Sequence, residues 1–243
     1  MLLNCHTYYS LCYGTYSIEG LLAELQTNGY DTFALTEINN TSACLDTIRR
    51  AGEFGLKPVV GIDFRNSVQQ QYVGIARNNE GFKELNEHLS HHCHNTLDFQ
   101  PIAPEFNNAF IIYPFVTYNG WLLRENEYIG VSIHDLSSLP FISKKHQLNK
   151  MVVLHTVTFA NKGRFNAHRL LRAIDTNTLL SMLPKDQQAK GTEVLLPKQE
   201  LYNAYKNYPG IIANVPLNLL NRQPVQDRHD LFFSWHKLSL VQA

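Results

Sequence analysis

Charge is scarce in this chain, and so is any bias in its sign. Only 17% of the 243 residues are Asp, Glu, Lys or Arg, and 21 basic side chains meet 21 acidic ones. A neutral balance with scattered Lys and Arg lacks the electrostatic footprint of a free-standing binder of nucleic acid or of a membrane surface. Cysteine is sparse as well. Cys5, Cys12, Cys44 and Cys93 form no Cys-x-x-Cys pair and do not read as a disulfide framework; they read as small buried hydrophobes. No run of about 18 apolar residues occurs, so no membrane span is expected. Residues 1–15 lack the basic start and unbroken apolar stretch of a secretory signal, which makes the cytoplasm the expected location. A Gly-rich phosphate loop, an internal repeat, a low-complexity tract and a Ser or Cys nucleophile constellation are all missing.

What is present is a globular composition, 44% hydrophobic. A chain this long buries roughly three-quarters of the surface its unfolded form exposes, so its core needs no disulfide or metal. Short apolar runs rich in β-branched and aromatic residues read as strands at 2–5, 32–36, 58–62, 72–76, 110–115, 128–132 and 151–156. Ser17 is placed to cap a helix that buries Ile18, Leu21, Leu22 and Leu25 and ends at Gly29. Thr41 or Ser42 is placed to cap a second, with Leu45, Ile48 and Ala51 inward and Gly55 after it. Strand, helix, strand, helix, strand requires right-handed parallel crossovers, so the opening 65 residues specify an α/β unit.

Further helices are expected over 80–90 (Phe82, Leu85 and Leu89 inward), over 164–174 (Phe165, His168, Leu171 and Ile174 aligned), from Pro197 to Tyr208, and over 211–220. Residues 92–108 read as a polar surface loop. About seven strands with interleaved helices fit a closed or nearly closed α/β barrel, and an open doubly wound sheet satisfies the same pattern.

In either architecture side chains beyond the strand ends converge on one rim. Asn4, Cys5 and His6 follow the first strand, Thr36 and Glu37 the second, Asp63 the third, and His155, Thr156 and Thr158 the seventh. His6, Glu37 and Asp63 make a small candidate metal set, and strand-end carboxylates serve equally often as helix caps or partners of Arg. His88, His91, His92 and His94, with Cys93, are candidates for a separate soft-metal site or for a solvated helix end. His155 and His168 read as hydrogen-bonded core histidines. Tyr8, Tyr9, Tyr13 and Tyr16 have no basic track beside them and read as space-filling; Arg49, Arg50, Lys144 and Lys145 read as solvated pairs, Gly14 and Gly61 as turn or close-packing positions.

The segments LNCHTYYSLCYGTYSIEGLLAELQTNGYDTFALTEINN, GLKPVVGIDF, ARNNEGFKELNEHLS, AHRLLRAIDTNTLLS and LLPKQELYNAYKNYPGIIANVPLNLL stand in order along residues 1–222. Together they resemble the PHP (polymerase and histidinol phosphatase) domain that forms the N-terminal module of bacterial DNA polymerase III alpha subunits. The resemblance implies a distorted seven-stranded β/α, TIM-like barrel over residues 1–222 with C-terminal helices. It implies a rim that in active members holds up to three divalent ions for phosphoester hydrolysis. Residues 223–243 then read as the start of a linker to a polymerase body.

At the matched positions this sequence departs from the family. His-x-His is Asn4-Cys5-His6, Asp-His is Glu37-Ile38, a glutamate is shortened to Asp63, and Asp-x-His is Thr156-Val157-Thr158. Offsetting about four to six positive charges needs many carboxylates and imidazoles; these positions offer three such groups. The expectation is a catalytically inactive scaffold with no cofactor, facing a polymerase body in cis or other replisome subunits and meeting DNA only indirectly. The alternatives are a phosphoesterase or 3′–5′ exonuclease using zinc, manganese or magnesium on His6, Glu37 and Asp63, and a stand-alone interaction protein.

Overall fold

The computed structural model describes residues 1–141 and 148–214. The first strand β1 (Leu2–Cys5) leads to α1 (Ile18–Thr27), β2 (Thr32–Ile38), α2 (Cys44–Ala51) and β3 (Lys57–Asn66). Then come β4 (Gln69–Ala76), α3 (Asn79–Asn95), β5 (Ala109–Pro114), β6 (Glu127–Val131), β7 (Met151–Val153) and β8 (Thr156–Val157). Three helices close the described chain: α4 (Lys162–Asp175), α5 (Lys198–Ala204) and α6 (Pro209–Ala213).

All strands join one eight-stranded sheet ordered β7-β6-β5-β4-β3-β2-β1-β8. β1, β2 and β3 pair in parallel, as the opening alternation requires. β4 is antiparallel to both neighbours, so β5, β6 and β7 run the same way as the first three strands. The sheet curls, and its covalent chain shows why: β7 and β8 occupy opposite edges yet are separated only by Leu154 and His155. A linker that short spans no more than about 10 Å. Mixed α/β with a curled sheet is therefore the observed class. The expected strand at 151–156 divides into β7 and β8, and β4 runs antiparallel to its neighbours.

Two apolar layers follow from strand alternation. Leu3, Ala34, Val59, Val73, Ile75, Phe110, Ile112, Val152 and Leu154 form a cluster with no helical member, which places it inside the curl. Leu2, Phe33, Leu35, Val60, Ile62, Ile129 and Val131 pack on the other face with Leu21, Leu22, Leu25, Ala51, Leu85 and Leu89 of the helices. Gly61 is indispensable to the first layer, because a Cβ there would lie 2.1 Å from the Gly74 carbonyl oxygen. Gly14 is equally constrained, because a Cβ there would lie 1.8 Å from the Thr7 carbonyl oxygen.

Ser17 caps α1 by accepting from Gly20 N, as its position predicts. Several expectations are corrected. α2 starts after Ala43 with no side-chain cap and buries Cys44, Thr47 and Ala51, leaving Leu45 39% exposed. Thr41 instead donates to Asn86 Oδ1. α3 runs through Asn95 behind its Asn78 cap, so the expected loop begins later, and Phe99, Ala103 and Phe106 within it are buried. α4 buries His168, Arg172 and Ala173, while Ile174 points outward. The helix expected to reach Tyr208 stops at Ala204, because Pro209 starts α6. Residues 144–145, the rest of the helix expected over 211–220 and the segment 223–243 lie outside the described residues.

Candidate functional site

Alternation on β3 turns Asp63 and Arg65 to the same inner face as Val59 and Gly61, at the end where β1, β2 and β8 also finish. Asn4, His6, Thr36, Asp63 and Thr158 are all fully buried there. Asp63 Oδ2 collects donors from every side. Asn4 Nδ2 lies at 3.3 Å, His6 Nε2 at 3.1 Å, Gln70 Nε2 at 2.9 Å, and Arg65 Nε and Nη2 at 3.0 and 2.7 Å. Asp63 Oδ1 is buried with no hydrogen-bond partner among the described residues. Thr36 Oγ1 donates to Asn4 Oδ1 at 2.6 Å, and Asn4 Nδ2 also donates to Thr156 Oγ1 at 3.1 Å. His6 Nδ1 meets Thr158 Oγ1 at 3.1 Å, and Thr158 Oγ1 donates to Glu193 Oε2 at 2.7 Å. Burial alone would raise the Asp63 carboxyl, but the Arg65 guanidinium and the His6 hydrogen bond outweigh it and hold the group well below the ordinary carboxylate range. Burial likewise opposes the charge on Arg65, and Asp63 more than restores it.

Glu37 is buried but serves a different task. Its carboxylate accepts from Thr7 N at 3.1 Å and from the hydroxyls of Thr7 and Ser10, and Ser10 Oγ in turn accepts from Ile38 N at 2.9 Å. It thereby fastens the loop after β1 to the end of β2. Ile38 packs beside Tyr13, Phe159 and Ala189. The expected site residues thus divide: Asn4, His6, Asp63, Thr156 and Thr158 meet in one network, while Glu37 and Ile38 face the loop and an apolar cluster.

Sequence reasoning missed three members of the network, Arg65, Gln70 and Glu193. Arg65 was the one with a signal, since Asp63-x-Arg65 on a strand puts opposite charges on one face. Tyr13 lies beneath Arg65, whose guanidinium carbon is 4.8 Å from the ring centroid, and burial pushes the phenol up to about 12. Tyr13, Arg65, Gln70, His155, Thr156 and Glu193 help to line a cavity of about 470 Å³ at the rim. His155 donates to Val194 O at 2.8 Å, and His168 donates to Tyr13 O at 2.6 Å while accepting from Ala189 N at 2.8 Å, so both are hydrogen-bonded core histidines.

The chain matches the PHP domain family over residues 3–173. It belongs to that family. It is also 31% identical, over 83 residues, to the DNA polymerase III subunit alpha of Ureaplasma parvum serovar 3 (strain ATCC 700970). That alignment takes in 34% of this chain and spans 8% of the relative's length.

PHP domains imply a cluster of divalent cations, and the residues here do not fit one. Asp63 Oδ2 is saturated by five hydrogen bonds, two of them from a guanidinium, and the Glu37 oxygens are spent on Thr7 and Ser10. Thr156 and Thr158 bring hydroxyls, which are weak ligands for zinc. Among the described residues no group of three or more His, Cys, Asp or Glu side chains is disposed to hold a metal ion. That statement also covers the His-rich end of α3. There His88 Nε2 lies 2.7 Å from Tyr72 Oη, and its ring lies 4.3 Å from that of His92. Burial, with the neighbouring His92 and His91, lowers His88 to about 4. Among the described residues no helix is long and apolar enough to cross a membrane.

Proposed function

We propose that this PHP domain is a non-hydrolytic structural module of a replicative polymerase of the DNA polymerase III alpha type. Its curled barrel serves as a scaffold for a polymerase body in cis or for other replisome subunits. The observation that carries the reading is the network around Asp63, where a guanidinium, two amides and an imidazole take the place that a hydrolytic centre would need for cations and water. Hydrolysis needs a group that generates hydroxide at neutral pH and one that stabilises charge developing on a phosphoryl oxygen, and an Asp63 carboxylate tied to Arg65 supplies neither. The similarity to a polymerase III alpha subunit supports the replication context. In this reading the module works in the cytoplasm.

The test is direct. Purified protein is assayed on 3′-labelled single-stranded DNA and on p-nitrophenyl phosphate with added manganese, magnesium or zinc, beside Asp63→Ala and Glu37→Ala. No hydrolysis above the variants is expected. Turnover that disappears in either variant overturns the scaffold reading in favour of a hydrolase with a reduced ligand set.

A further inference from the structure

The hydrogen atoms at the rim can be counted. A carboxylate only accepts, so the 3.1 Å contact between His6 Nε2 and Asp63 Oδ2 requires a proton on Nε2. That nitrogen then has no lone pair for a metal. On the other side of the ring the Thr158 hydroxyl has one hydrogen, and its 2.7 Å contact with Glu193 Oε2 uses it. His6 Nδ1, at 3.1 Å from the same oxygen, therefore faces that hydroxyl and not an open position. Both ring nitrogens of the imidazole are thus engaged by neighbouring side chains.

Arg65 completes the arrangement. Its side chain is 5% exposed, it reaches Asp63 Oδ2 through both Nε and Nη2, and the Tyr13 ring supports its face. A guanidinium cannot shed its proton in a protein, so a positive charge stands permanently a hydrogen bond's length from Asp63, whose Oδ1 has no hydrogen-bond partner among the described residues. A divalent ion at Asp63 Oδ1 would have to approach that charge in a water-poor setting, where like-charge repulsion is strongest.

We propose that Arg65 is the resident cation of this rim: its guanidinium, and not a metal ion, neutralises Asp63 and keeps the site closed to divalent cations. This deepens the scaffold reading and rests on it. It is nonetheless separately testable, because a barrel that hydrolyses nothing could still bind a metal.

The experiment uses the whole chain, ¹⁵N-labelled with assigned resonances, titrated with Mn²⁺, whose unpaired electrons broaden signals of nearby nuclei. Wild type and Arg65→Lys, which keeps the charge, are expected to show no selective broadening at residues 4–6 and 63. Arg65→Gln is expected to show it at Mn²⁺ concentrations about tenfold lower than either, the effect of removing one repelling charge at close range. Adding Asp63→Asn to Arg65→Gln should abolish the response. Selective broadening in wild type, or an Arg65→Gln protein no more responsive than wild type, overturns the proposal. If Arg65→Gln does not fold, the wild-type and Arg65→Lys titrations decide it by the same criterion.

Discussion

The Asp63–Arg65 pair offers the sharpest energetic test of the reasoning. Both side chains are buried, at 0% and 5% exposure, and they meet at 2.7 Å. Removing one partner of a buried ion pair leaves the other charge uncompensated, which costs about 3–5 kcal/mol. Arg65→Met conserves much of the volume and removes the charge. For a chain of this size about 1 kcal/mol moves the thermal midpoint by roughly 2–4 °C, so a fall of about 6–20 °C is expected. The double variant Asp63→Asn/Arg65→Met should be milder than the sum of its parts by about 1–3 kcal/mol. A neutral amide at 63 no longer needs a counter-charge, and its oxygen still accepts from Asn4, His6 or Gln70. Chemical denaturation of wild type, both single variants and the double variant measures the cycle. A cost below about 1 kcal/mol for Arg65→Met, or two single costs that simply add, would refute the claim that these charges are buried and mutually dependent.

Three further expectations follow from other contacts. His168 must be neutral for Nε2 to accept from Ala189 N, and burial, against the opposing hydrogen bond to Tyr13, lowers it from its ordinary value of 6.5. Its contribution is complete above that value and is lost as pH falls through the lower folded value, so the wild-type midpoint should drop more steeply below about pH 6.5 than that of His168→Gln; parallel curves would discard the idea. Glu37→Gln places an amide donor against Thr7 and Ser10, which already donate, and should cost about 1–3 kcal/mol in urea denaturation; a silent substitution would show that Glu37 does not fasten the loop. Gly61→Ala forces a methyl to 2.1 Å from the Gly74 carbonyl oxygen and should destabilise by about 1–3 kcal/mol or more, while a wild-type midpoint would mean that the β3–β4 approach is looser than described.

Much of the fold was legible in residue order. Ile18, Leu21, Leu22 and Leu25 share a helical face, and the runs at 32–36 and 58–62 are continuous apolar strands, so local periodicity alone leads to the parallel opening unit. Periodicity was weaker where the element was short or its partner distant. The helix over 44–51 could rotate by one residue, exposing Leu45, because its sequence is mostly polar and tertiary contact selects the buried face. The reversal of β4 was hidden because a buried strand reads alike in either direction: Tyr72, Val73 and Ile75 are buried whichever way they pair.

The site divides along the same line. Residue types were enough to mark Asn4, His6, Asp63, Thr156 and Thr158 as positions at the strand ends. Which of the marked residues work together was settled only by the curl of the sheet. It brings Thr158 and Glu193 to His6, and Gln70 of the neighbouring strand to Asp63, while the loop after β1 takes up Glu37. These partners lie far apart in sequence, and the hydrogen bonds that give a buried carboxylate its role depend on distances of about 3 Å. No pattern read along the chain encodes those distances.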